Sequence, residues 1–163
     1  MITTLIDNEI AAYNSFGHPA LMQRFIKAKG SVQPVLSHLP KSIKRGPPRN
    51  CFQNAYNLAM RGFRYVEGYG VTPAIPLLIH HAWVLDDQGN VIDNTWENSP
   101  SCMYVGVELP LDTLLAETFK SGCYGVLDTG MGINAPFILQ NAPELIDILE
   151  NCKAKKLISA PCV

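Results

Sequence analysis

The sequence predicts an α+β domain in which one helix packs on an antiparallel sheet, with a helical segment ahead of it. Three features lead there. Between Asn50 and Gly62, Phe52, Ala55, Tyr56 and Ala59 recur at helical spacing. The runs Phe63 to Tyr69, Leu77 to Leu85 and Val91 to Trp96 are rich in β-branched and aromatic residues, and the last two are joined by turn residues. The first thirty residues carry two helical patterns and no strand pattern. A length of 163 residues suits one domain with its own core. It divides into 1–48 (helices and a proline-rich loop), 49–127 (the core) and 128–163 (a C-terminal helix and tail).

In order along the chain, residues 7–16 read as a short helix, with Asp7 as N-cap, Ile10 and Tyr13 on one face, and Gly17 as the stop. A second helix runs from Pro19, a residue suited to a first helical position, to Lys29; Leu21, Met22, Phe25 and Ile26 form its apolar stripe and Gly30 ends it. Residues 31–48 hold Pro34, Pro40, Pro47 and Pro48 and read as a surface loop. Asn50 then caps the helix from Cys51 to Arg61, which Gly62 terminates. The strand from Phe63 is followed by a proline-containing loop at 70–76 and by the hairpin of Leu77–Leu85 with Val91–Trp96. Met103 to Leu109 reads as a further strand, Pro110 to Lys120 as a helix closed by Gly122, and Cys123 to Leu127 as a short edge strand. Pro143 to Cys152 reads as the last helix, and the tail from Lys153 as mobile. Asp128-Thr-Gly-Met-Gly132 looks like an aspartic-protease signature, but a single copy without flanking strands reads as a turn.

Composition limits the partners. With 47% hydrophobic residues, 17% charged residues and a formal net charge of −1, the chain is globular and has no general attraction for nucleic acid or for an anionic membrane. The one basic cluster, Lys41 to Arg45 with Arg49 beyond, reads as a solvated loop. No apolar run approaches the ~18 residues a bilayer span needs. The stretch Met1 to Asp7 has no basic lead and no long apolar run, so no signal peptide is expected. The five cysteines, Cys51, Cys102, Cys123, Cys152 and Cys162, are widely spaced with no C-x-x-C, as free thiols in a reducing cytoplasmic setting would be.

The chemistry gathers at Cys51, His81 and Asp93. A thiol with the ordinary pKa of ~8.5 is mostly protonated at neutral pH, and a helix N-terminus or a neighbouring imidazolium favours its thiolate. Cys51 opens a helix whose first N–H groups, lacking intrahelical acceptors, can also bind the oxyanion of a tetrahedral intermediate. A three-residue loop Asp87-Gln88-Gly89, with Gly89 left-handed, pairs Asp86 with Asn90 and sets Asp93 opposite Trp83. His81 then lies diagonal to Asp93 on one sheet face while His80 points to the other, so alternation lets only one of the two face the Cys51 helix. A slip of one residue would offer Asn94 to His81 instead. An acid held on one ring nitrogen leaves the other to serve the thiol.

Cys51-Phe52-Gln53-Asn54-Ala55, then Arg64-Tyr65-Val66-Glu67-Gly68-Tyr69, His81-Ala82-Trp83-Val84 and Asp93-Asn94-Thr95, resembles the transglutaminase-like core of the papain-like cysteine enzyme superfamily. The resemblance covers residues 49–96, with Asn94 standing where the family often has proline. It implies a papain-like or transglutaminase-like fold with a catalytic helix on an antiparallel sheet. It also implies Cys51 as nucleophile, His81 as base and Asp93 as orienting acid, in acyl transfer from an amide through a thioester. The products would be those of a peptidase, amidase, deamidase or transglutaminase. The substrate would be a protein, a peptide or a small amide, and no cofactor or metal is implied. Asn50, Glu67, Trp83 and Trp96 are the candidate substrate-binding residues. Glu67 would meet either a substrate amine or a core arginine, and the two tryptophans would line either the core or a pocket wall. Two rival readings are a non-catalytic binding module on the same fold and a metal site of Cys51, His80 or His81, and Asp93, whose spacing lacks the short ligand pairs typical of zinc.

Overall fold

In the computed structural model, which describes residues 2–159, the chain runs α1 (Ile2–Ser15), α2 (Leu21–Lys29), β1 (Ser31–Val32), α3 (Cys51–Ala59), β2 (Arg64–Thr72), β3 (Ile75–Leu85), β4 (Val91–Ile92), β5 (Met103–Leu109), α4 (Leu111–Ser121), α5 (Ala135–Asn141) and α6 (Ile146–Ser159). The five strands form one antiparallel sheet in the order β1-β5-β2-β3-β4. The fold class is therefore α+β, with α3 packed against β2 and β3.

Turn chemistry sets the register at the site. Gly89 takes φ 83°, a left-handed angle that glycine adopts at little cost. The Asp86 carboxylate accepts from the backbone N–H of Gln88 at 2.9 Å and of Asn90 at 2.8 Å. The loop is thus the expected Asp87-Gln88-Gly89, closed by Asp86 N–H donating to the Asn90 carbonyl at 3.1 Å. Val84 lies opposite Ile92 and Leu85 opposite Val91, a register that continues to Trp83 opposite Asp93. β4 stops at Ile92, however, so the strand expected to reach Trp96 is two residues long and Asp93 stands just past its end. Beyond Trp83, toward His81 and His80, β3 has no β4 partner and its outer edge is open.

Alternation gives the sheet two apolar faces. Tyr65, Tyr69, Ala82, Val84, Val105 and Val107 join Ile6, Phe25, Ile26, Leu58, Leu114 and Ile138 in the larger core, beneath the helices. Each fully buried side chain of this size contributes about 1.5–3 kcal/mol. Val66, Trp83, Leu85, Val91, Cys102 and Tyr104 form a smaller cluster on the other face, with Trp96 against it. Close approach explains two glycines there. A Cβ on Gly106 would meet the Trp83 ring at 2.8 Å, and one on Gly70 would meet the Trp96 ring at 2.6 Å.

Several expectations need correction. α1 begins at Ile2, so Asp7 is not its cap and instead pairs with Lys27 on α2. α2 starts at Leu21, after a left-handed Ala20, and Pro19 lies outside it. Ser31–Val32 pairs with β5 within the span read as loop. Residues 70–72 and 75–76 belong to a continuous hairpin, where the Thr72 hydroxyl accepts from Ile75 N–H at 3.1 Å. No strand forms at 123–127, and α5 was not foreseen. The chain from Asp128 does turn, with Gly130 N–H on the Asp128 carboxylate at 2.8 Å. α6 continues past Cys152 to Ser159; Cys162 and the rest of the tail, 160–163, lie outside the described residues. No described helix is long and apolar enough to cross a membrane.

Candidate active site

α3 begins where the chain can present a thiol. Arg49 is left-handed at φ 68°, and Asn50 takes the N-cap position with its carbonyl accepting from Asn54 N–H at 2.8 Å. The Asn50 side chain makes no capping bond. Cys51 is half-buried at the first helical position, and the N–H groups of Cys51, Phe52 and Gln53 have no intrahelical acceptor. Asn54, one turn on, donates from Nδ2 to the Pro47 carbonyl and to Thr95 Oγ1, both at 2.9 Å. That side chain ties the Cys51 helix to the segment following Asp93.

The structure brings His81 and Asp93 into direct contact. His81 Nε2 and Asp93 Oδ2 are 2.8 Å apart and both side chains are 1% exposed. Tyr104 Oη donates to the same Oδ2 at 2.8 Å, and Oδ1 accepts from Thr95 N–H at 2.8 Å and Trp96 N–H at 3.3 Å. Trp96 stacks on the His81 ring at 4.0 Å between centroids, 15° from parallel. The imidazole is thus fixed in plane by an acid and on its face by an indole. Asn94 is turned away from it, with Nδ2 on the Lys44 carbonyl at 3.3 Å.

The carboxylate can only accept, so Nε2 carries the proton and Nδ1 is free in the neutral ring. Nδ1 is buried with no hydrogen-bond partner among the described residues. Cys51 adjoins the ring: its sulfur raises the His81 pKa through hydrogen bonding and charge, although Nδ1 makes no full hydrogen bond. Burial pulls the His81 pKa down; Asp93 and Cys51 together outweigh it and bring it from 6.5 up to about 9. Burial likewise pushes the Asp93 carboxyl up, and the His81, Thr95 and Tyr104 hydrogen bonds outweigh it, holding it below the usual 3.8.

Strand alternation does separate the two histidines, yet both meet α3. Cys51 adjoins His81, while Phe52 lies against His80 with ring centroids 4.9 Å apart. The first turn of α3 therefore sits at the open edge of β3, so that consecutive helix residues meet consecutive strand residues on opposite faces. The reading that only one histidine can face the helix was too strict, because it assumed a helix lying flat on one face.

The remaining candidates divide. Asn50 borders a groove of about 520 Å³ beside Cys51, lined also by Phe52, Gln53, His80, Tyr124 and Asp128. Trp96 is half-buried against His81. Trp83 is 1% exposed and Glu67 is 0% exposed, so neither reaches a substrate. Glu67 has no arginine partner. Its carboxylate accepts from Val126 N–H at 2.7 Å, Leu127 N–H at 2.9 Å, Asp128 N–H at 3.2 Å and Tyr65 Oη at 3.4 Å, and it contacts His80 Nε2 at 3.0 Å. Arg45, expected in a solvated loop, donates to the carbonyls of Trp96 and Glu97 and braces the segment over His81.

Sequence reasoning missed Tyr104, Asn54 and the wall from Gly122 to Gly130. Tyr104 reaches Asp93 only because β5 pairs with β2, which no local pattern announces. Among the described residues, Cys51, Cys102, Cys123 and Cys152 form no disulfide with one another, and no group of three or more His, Cys, Asp or Glu is arranged to hold a metal ion. Comparison with protein-family models, with curated proteins and with solved structures finds no match to this chain.

Proposed function

We propose that this chain is a cysteine-dependent acyl-transfer enzyme on a papain-like or transglutaminase-like core, with Cys51 as nucleophile, His81 as base and Asp93 as the acid that orients it. One observation carries the reading: His81 is held on Nε2 by Asp93 while its buried, unpartnered Nδ1 lies beside a thiol at the start of a helix. A buried imidazole nitrogen with no partner costs stability, and a proton to accept from Cys51 gives that nitrogen a use.

The steps balance as follows. His81 holds its proton to about pH 9, so Cys51 Sγ, its proton already on His81 Nδ1, forms an S–C bond to the carbonyl carbon of an amide. The carbonyl oxygen takes the negative charge, facing the free N–H groups of the first turn of α3. As the C–N bond breaks, Nδ1 returns the proton to the leaving amine and a thioester remains. Water or a second amine then attacks the thioester, His81 takes its proton, and the S–C bond breaks to release an acid or a new amide and restore the thiol. Asp93 keeps its negative charge throughout and stabilises the imidazolium.

A non-catalytic binding module on the same fold is the rival, supported by the unformed Cys51–His81 hydrogen bond. Alkylation separates the two. With iodoacetamide at pH 6, Cys51 should react at least ten times faster than a model thiol (a factor of about ten is 1.4 kcal/mol), and His81→Ala should remove the excess. Labelling of Cys51 no faster than the model thiol contradicts the proposal.

A further inference from the structure

The groove beside Cys51 contains a second imidazole–carboxylate pair that the acyl-transfer steps do not use. His80 lies at its base, 19% exposed at the side chain, between the first turn of α3 and the wall at 122–130. Its Nε2 is 3.0 Å from Glu67 Oε1. Glu67 is wholly buried and its other contacts are all donors: three backbone N–H groups from Val126 to Asp128 and the Tyr65 hydroxyl. Such a carboxylate can only accept, so His80 Nε2 carries the proton and the neutral ring presents Nδ1 as a lone pair. Nδ1 makes no hydrogen bond among the described residues and is not fully buried, and the ring lines the groove. Phe52 lies against one side at 4.9 Å and Tyr69 is edge-on at 6.2 Å.

We infer that His80 is a substrate-recognition residue whose Nδ1 accepts a hydrogen bond from a backbone N–H of a peptide substrate, next to the carbonyl that Cys51 attacks, with Glu67 as the positioning residue. This rests on the proposed role of Cys51 and narrows its substrate to a peptide or protein. The occupant follows from continuity: Asn50, Phe52 and Gln53, which flank Cys51 in sequence, line the same groove. Cys51 itself does not line the groove, but a ligand that fills it beside Cys51 meets His80, and an acceptor there selects a donor. Glu67 sets both halves of the subsite at once. It holds the His80 tautomer from below and the backbone of the wall from the side.

The test compares three electrophiles on Cys51: iodoacetamide, too small to fill the groove; an N-acetyl dipeptidyl chloromethyl ketone; and the same ketone with its backbone N–H groups methylated. The unaltered protein should react faster with the N–H ketone than with the N-methyl ketone, by about tenfold for one hydrogen bond; this comparison needs no variant to fold. His80→Gln can keep a donor to Glu67 but moves the acceptor away from the Nδ1 position, and should slow the N–H ketone about tenfold while leaving the other two reagents within about twofold. His80→Asn places an amide oxygen near the Nδ1 position and should recover most of the preference. Equal loss with all three reagents, or no loss with any, overturns the inference while leaving the role of Cys51 standing. Iodoacetamide reacting no faster than with a model thiol overturns both.

Discussion

Two imidazole–carboxylate pairs sit on consecutive residues of β3, and their surroundings differ. His81–Asp93 is buried on the face that carries Trp83, Trp96 and Tyr104. His80–Glu67 belongs to the helical face and borders a groove. Each histidine is held through Nε2 by an acid. The difference lies in the second ring nitrogen and in what else the acid binds. Nδ1 of His81 is buried beside a thiol. Nδ1 of His80 is not fully buried, and its ring lines the groove. Asp93 spends its spare capacity on the segment that follows it, which fixes the imidazole. Glu67 spends its own on backbone 59 to 61 residues away, which fixes a wall. Under the proposed function, two like pairs serve reaction and recognition according to where strand alternation places the second nitrogen.

Breaking each acid in turn sharpens that contrast. Asp93→Asn should have the largest effect on reactivity. With Oδ1 kept on the Thr95 and Trp96 N–H groups, the amide nitrogen faces His81 Nε2 and donates to it, and the ring proton moves to Nδ1, where it cannot accept from Cys51. In a serine triad the same exchange costs about 10⁴ in turnover. A cysteine nucleophile relies less on its base, and the expected loss is about 10²–10³, or roughly 2.7–4 kcal/mol of barrier, read as the rate of thioester formation.

Glu67→Gln should act mainly on stability. The new amide turns donors toward backbone N–H groups that the carboxylate satisfied, and each buried donor left unpaired costs about 1–3 kcal/mol. The melting temperature should fall clearly while the iodoacetamide rate of the folded fraction stays within about twofold of the unaltered protein. Asn94→Ala should be the mildest of the three, because Asn94 contacts the Lys44 carbonyl and not His81; thioester formation should be unchanged within about twofold. A fully active Asp93→Asn with an inactive Asn94→Ala would reassign the orienting residue to Asn94.

How much of this could be read from the sequence depends on the distance over which each feature is decided. The Asp87-Gln88-Gly89 loop is local: Asp86 binds two N–H groups within four residues and Gly89 supplies the positive φ, so the register that brings Asp93 toward His81 follows from short-range chemistry. The start of α3 at Cys51 is equally local, set by two prolines, a capping position and helical spacing. The short β4 was not legible. Its residues read as a strand to Trp96, but the Asp93 carboxylate binds Thr95 and Trp96 N–H and folds the chain back on itself. Glu67 reads in sequence as meeting a substrate amine or a core arginine; its partners are backbone groups in a stretch whose alternation imitates a strand. Tyr104 and Asp93 meet only through the whole sheet order.

The central claim is that Asp93 and Cys51 act on one imidazole, and a histidine titration followed by nitrogen–proton NMR tests it most directly. Both partners favour the charged ring, so His81 should keep its proton well above the ordinary 6.5 and lose it near pH 9. In Cys51→Ala one of the two raising influences is gone, and the midpoint should fall. In Asp93→Asn the larger one is gone while burial still disfavours the charge, and the midpoint should fall further. A His81 midpoint at or below 6.5 in the unaltered protein, unmoved by Cys51→Ala, would show that the ring and the thiol are not coupled.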